Sequence, residues 1–160
     1  MKKLAALVLA LAVIATATHT VLQADDTPSV VTSLSEAQWG PAPPMIPAGA
    51  KIAVLSGNPM GTGAYAVRLR FPANYAIAAH SHPTDENVTV VSGTLYMGMG
   101  DKLDRKAGKG VTVGGFAQAP AKVNHFAFTK GGPVTIVLHG IGPVEFNYVN
   151  AADDPRNAKK

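Results

Sequence analysis

At 160 residues, with 47% apolar and 15% charged side chains, 16 glycines and 12 prolines, the chain has the length of one globular domain and too many turn formers for long helices. Its net charge of +4 is scattered along the sequence, which excludes the basic stripe of a nucleic-acid binder. It has no cysteine, which excludes disulfides, thiolate metal ligands and a cysteine nucleophile.

The first segment, residues 1–24, reads as a signal peptide: Lys2 and Lys3 precede an apolar run from Leu4 to Ile14. The run is shorter than the roughly 20 residues of a membrane-spanning helix. Cleavage is expected after Ala24, with Ala17 as the alternative, giving a periplasmic or secreted protein without lasting membrane association. Residues 25–49 form an N-terminal arm. Within it, residues 32–38 have the makings of one helical turn, because Ser33 and Glu36 stand at capping-box spacing. The stretch GPAPPMIPAGA that follows is expected to be extended and irregular, since proline fixes φ and removes a donor.

From residue 50 to 150 short apolar or alternating runs recur between turn signals. Strands are expected at 51–55, 64–71, 75–82, 86–91, 94–98, 111–113, 116–118, 124–129, 133–139 and 144–149. That spacing predicts an all-β sandwich or barrel of a single domain. The one long interruption is GMGDKLDRKAGKG, and residues 151–160 form a polar tail.

The chemistry concentrates in AAHSHPTDENVTVVSG, residues 78–93. Side chains two apart on a strand share a face, so His80 and His82 point the same way. Glu86 has the same parity, with Pro83-Thr84-Asp85 bending the chain between them, and Asp85 is expected to face outward. Imidazoles and a carboxylate suit a divalent first-row metal. Ligands on one side of the ion leave the other side open, as a catalytic metal requires. Ser92-Gly93 fits a tight hairpin turn.

The pattern His80-x-His82, three residues, Glu86, six residues, Gly93 resembles the first motif of the cupin superfamily. The glycine that opens that motif is Asn74 here, a residue tolerant of the left-handed region. The second motif resembles GGFAQAPAKVNHFAFT: Gly114, Pro120 and His125 match, Lys122 replaces a glycine and Thr129 replaces an asparagine. The resemblance covers about residues 50 to 150. It implies a cupin-type jelly-roll barrel of six to eight strands with one divalent transition metal ion (Fe, Mn, Ni, Cu, Co or Zn) held by His80, His82, Glu86 and His125. It implies a metal-dependent enzyme acting on a small molecule, foremost a dioxygenase-type oxidoreductase. Isomerases, decarboxylases and non-catalytic binding or sensing modules also occur in the superfamily.

Glu86 is then a candidate base as well as a ligand, and His139, closing the run PVTIVLH, is a candidate acid–base group. Phe126 and Phe128 have the opposite parity to His125 and should lie on the other face of its strand. Met97 and Met99 share a parity and are expected in the core or cavity wall. The expected partner is a small-molecule substrate or ligand, not a nucleic acid. A homodimer is conceivable through edge pairing or exchange of the arm at 40–48, which could equally cap its own barrel.

Overall fold

The computed structural model describes residues 33–158, so the expected signal peptide and the first part of the arm lie outside the described residues. Eleven strands follow in order: β1 (Gly40–Pro41), β2 (Lys51–Ser56), β3 (Ala64–Phe71), β4 (Ala76–Ser81), β5 (Glu86–Ser92) and β6 (Leu95–Met99). They continue with β7 (Lys109–Val111), β8 (Phe116–Ala119), β9 (His125–Phe128), β10 (Val134–Ile141) and β11 (Asn147–Tyr148). The expectation of an all-β jelly roll holds. The strands form two antiparallel sheets, β1-β2-β3-β10-β5-β8 and β11-β4-β9-β6-β7, more than the six to eight expected.

Alternation sets the layers. On β3, Tyr65, Val67, Leu69 and Phe71 are buried between the sheets, while Arg68 and Arg70 face out. There the Arg70 guanidinium lies 4.6 Å over the Trp39 ring, and Arg68 Nη1 donates to the Ser33 carbonyl at 3.0 Å. Ser33 caps a single 3-10 turn at Leu34–Glu36, its N–H donating to the Glu36 carboxylate at 2.6 Å as the capping-box spacing predicts.

The strands expected at 75–82, 116–118 and 124–129 are observed to within one residue at each end, and 64–71 is matched outright. Three expectations need correction. The proline-rich stretch is not wholly irregular, because Gly40–Pro41 pairs with β2 at the sheet's edge, where a proline's missing N–H costs nothing. The strand expected at 111–113 lies at 109–111, since Gly115 N–H closes a turn onto Thr112 and leaves Val113 in solvent. The last strand shrinks to Asn147–Tyr148, because residues 144–146 cross the barrel mouth instead of pairing.

The arm closes its own barrel. Ile46 is buried in the core, Tyr148 Oη donates to the Met45 carbonyl at 2.8 Å, and Tyr75 Oη donates to the Pro47 carbonyl. Near the C-terminus Asp154 and Arg156 pair, and Arg156 Nη2 donates to the Phe146 carbonyl at 2.9 Å.

Phe126 and Phe128 face away from His125, yet each is only 1% exposed: Phe126 lies against Gly98 of β6, and Arg105 and Gly108 of the loop at 100–108 cover Phe128. Both meet glycines so closely that no side chain fits. A Cβ on Gly98 would stand 2.3 Å from Phe126 Cζ, and one on Gly108 would stand 2.5 Å from Phe128 Cε1. Tyr96 stacks on Phe128 at 5.1 Å, and Arg105 lies over its ring at 4.9 Å.

The two places where the sequence departs from the glycine pattern are Asn74 (φ 57°) and Lys122 (φ 64°). They are the only non-glycine residues with positive φ among the described residues. The backbone keeps the glycine conformation and these side chains bear its cost. Replacing Lys122 by glycine is expected to stabilise the fold by up to about 1 kcal/mol in chemical denaturation, whereas Asn74→Gly should change it by less than about 0.5 kcal/mol. Equal effects at both sites would refute this account. Thr129 takes the asparagine's place, its hydroxyl donating to the Pro72 carbonyl at 2.7 Å and accepting from Tyr75 N–H at 2.9 Å.

Candidate metal centre

Three segments converge at one end of the barrel. β4 carries His80 and leads into His82, β5 begins at Glu86, and β9 begins at His125. One local irregularity makes this possible. Pairing of β4 with β9 runs Ile77↔Ala127 and then His80↔His125, so β4 holds one extra residue and a bulge. Strict alternation from Ile77 would turn His80 outward; the bulge restores it to the inner face. His80, His82 and His125 are 2%, 4% and 1% exposed.

The histidines are oriented by main-chain oxygens. His80 Nδ1 lies 2.7 Å from the Ala78 carbonyl, His82 Nδ1 2.6 Å from that of Glu145, and His125 Nδ1 3.1 Å from that of Val123. A carbonyl only accepts, so each Nδ1 carries the proton and each Nε2 keeps its lone pair. One ligand atom from each of the three rings falls within 4.8 Å of the others. Glu86 completes the group, with Oε1 3.4 Å from His82 Nε2 and Oε2 3.3 Å from His125 Nε2. Neither contact has hydrogen-bond geometry, and both nitrogens are buried without a partner. Buried lone pairs that converge unsatisfied beside a carboxylate fit a metal ion.

Electrostatics hold His80 neutral beside an ionised Glu86 and draw His82 toward its protonated form. Burial, then the rings of His125 and His82, hold His80 down at about 3. Burial also pushes His82 down, but contact with Glu86, its charge and the Glu145 carbonyl outweigh this, and the net shift is upward. Burial pushes Glu86 up; contacts with His125 and His82 outweigh it and hold the carboxyl well below its usual range.

These shifts fix a pH dependence for the metal-free protein. Between the ordinary 6.5 and about 3, His80 binds its proton in the unfolded chain and not in the folded one. Stability therefore falls as pH drops through that window, and Glu86 adds to the loss below its ordinary 4.5. His82 acts oppositely: its contribution is full below 6.5 and is lost as pH rises through its elevated value. The melting temperature of chelator-treated protein should drop by about 5 °C or more from pH 6.5 to 4. A His80→Leu variant should show a shallower drop, and an unchanged slope would contradict the assignment.

His139, expected as an acid–base group, is not brought to the cluster. On β10 the core faces are Ile136 and Leu138, so His139 points out from the sheet and is exposed. Asp85 is exposed, as its parity predicted, and its Oδ1 accepts from Ala121 N–H at 2.8 Å, tying the two motif loops together. Met97 is buried in the interior, but Met99, at the rim, is 51% exposed. Sequence reasoning missed Phe146, which stacks on His80 at 4.6 Å and meets His82 edge-on at 4.6 Å. It also missed Tyr65, which lines a small depression with His82 and Glu86; burial and then the Glu86 charge push its phenol up to about 12. Only the two-residue spacing of Phe146 and Tyr148 hinted that this segment shares a face.

Two antiparallel sheets enclosing three inward histidines and a glutamate, all at the motif positions, define a barrel of the cupin superfamily. Residues 27–144 match the ChrR Cupin-like domain family, and the chain belongs to it. No curated protein matches the chain by sequence. Among solved structures, the polyketide cyclase RemF from Streptomyces resistomycificus is similar with a TM-score of 0.64 and 15% identity, over 78% of this chain and 88% of that one. The "putative acetylacetone dioxygenase" of Methylibium petroleiphilum PM1 gives 0.60 and 16%, over 84% and 90%. KdgF from Halomonas sp. gives 0.54 and 16%, over 79% and 98%. At these identities the likeness is one of fold.

Proposed function

We propose that the chain is a metal-binding cupin in which His80, His82, His125 and Glu86 hold one divalent transition metal ion for a reaction on a small organic molecule, of the dioxygenase-type oxidoreductase class. The observation that carries this is the set of three imidazoles, each with Nδ1 engaged by a backbone carbonyl and Nε2 turned to a common point beside Glu86. A bound ion of this kind supplies Lewis acidity and, where redox-active, a route to oxygen chemistry. The chain's residues do the rest. The carbonyls of Ala78, Glu145 and Val123 orient the rings, Phe146 keeps water from His80, and Glu86 is placed to accept a proton if it moves off the metal. The fold's likeness to a cyclase and to the "putative acetylacetone dioxygenase" supports chemistry on small organic molecules. The basic, apolar leader supports export as the setting.

A second reading, a non-catalytic metal or ligand-binding and sensing module, is favoured by the tightness of the centre. The cavity beside His80, Glu86 and His125 measures about 20 Å³, room for one water.

The test is to strip purified protein with chelator, reload it with each of the six metals, and measure metal content and oxygen uptake over a panel of small β-diketones and aromatic acids. One ion per chain with consumption of oxygen and substrate supports the enzyme. One ion with no turnover supports the binding module. No retained metal refutes the centre.

A further inference from the structure

A hollow far larger than the one beside the histidines lies elsewhere in the described residues. It is a groove of about 530 Å³ between the free edges of the two sheets, where β8 ends one and β7 ends the other. Ligand pockets run to about 300–1,000 Å³, so an organic molecule fits here and not in the cavity at the histidines.

We propose that this groove binds a small apolar molecule bearing one carboxylate, and that Met97 is the partition between it and the metal centre. The proposal rests on the metal-centre reading and adds to it the class of substrate and its way in. Met97 lines both the groove and the cavity containing His80, Glu86 and His125. A methionine has three rotatable bonds and a soft thioether, so it can swing aside at small cost. The opposite wall leaves room by the smallness of its side chains: Ala117 pairs with Val88 and Ala119 with Glu86, so two small residues line the inner face of β8 up to the carboxylate.

The lining selects the ligand. Met99 and Phe116 flank the groove and are 51% and 58% exposed, apolar area that the fold itself leaves uncovered. Lys109 is the only charged residue in the lining, and it stands in register with Met97 on the same face. An apolar body between Met99 and Phe116, with a carboxylate on Lys109, directs the ligand's other end past Met97 toward the metal.

The probes are 2-naphthoate and its methyl ester, titrated by fluorescence into metal-free, zinc-loaded and cobalt-loaded protein with metal content measured in parallel. Lys109→Gln should weaken naphthoate at least tenfold and the ester less than twofold. Ala117→Phe should weaken both at least tenfold. Cobalt should broaden the proton resonances of bound naphthoate where zinc does not, and Met97→Ala should increase the broadening. Naphthoate affinity unchanged within twofold by both Lys109→Gln and Ala117→Phe overturns the groove, as does failure of wild-type protein to bind either probe at millimolar concentration. Equal line widths with cobalt and zinc overturn the route past Met97. Because Lys109 lies on an exposed edge, its variant stays informative if Ala117→Phe fails to fold. Because affinity is read in metal-free protein too, loss of the groove is distinguishable from loss of the metal centre.

Discussion

Replacing His125 by leucine is expected to abolish useful metal binding while leaving the metal-free fold intact. Leucine fills most of the imidazole's volume and deletes the buried Nε2 that has no hydrogen-bond partner, so the core stays filled although Glu86 and the Val123 carbonyl lose a contact. The loaded protein gives up a ligand. Removing an outer partner of a ligating histidine typically costs 10–100-fold in affinity, so removing the histidine itself should cost more than about 100-fold. At a metal concentration of 100 times the wild-type dissociation constant, the ion stabilises wild type by about 2.7 kcal/mol. In the variant the gain should fall to about 0.4 kcal/mol or less. Thermal melts with and without each metal read this directly. A variant that keeps the full metal-induced shift would remove His125 from the centre.

The largest loss of stability should come from the other face of the same strand. Phe128→Ala is expected to destabilise the protein by about 3–5 kcal/mol. The ring is 1% exposed, stacks on Tyr96 and seats against Gly108, with Arg105 above it. Its loss opens a cavity that rigid strands and a glycine cannot refill. Against a total stability of about 5–15 kcal/mol, such a loss is visible as an early urea transition. A change below about 1 kcal/mol would mean that the loop at 100–108 does not pack as described.

β3 and β5 show why so much of this fold was legible. Each run from Ala64 to Phe71 and from Glu86 to Ser92 alternates with period two and is followed by a turn former, Pro72 or Gly93, so local pattern and tertiary facing agree. The ligands were legible because three of them follow within seven residues on parity alone, with His125 supplied by the resemblance. What stayed hidden depends on contacts distant in sequence. The bulge in β4 is invisible locally, because Ala78 and Ala79 suit either face. Phe146 reaches His80 across the barrel mouth, and the burial of Phe128 depends on a loop that reads as polar. His139 went astray for a plainer reason: its run gave no sign of which parity faced the core, and the position of His139 turned outward.

The placement of β10 between β3 and β5 governs how the chain can fold. Residues 64–71 and 86–92 have no direct partnership with each other; both must wait for residues 134–141 to arrive between them. Most pairing in the larger sheet is thus of long sequence separation, which slows folding relative to local hairpins. A chain cut short before β10 keeps both waiting edges bare, so C-terminal truncations should aggregate instead of yielding a smaller soluble barrel.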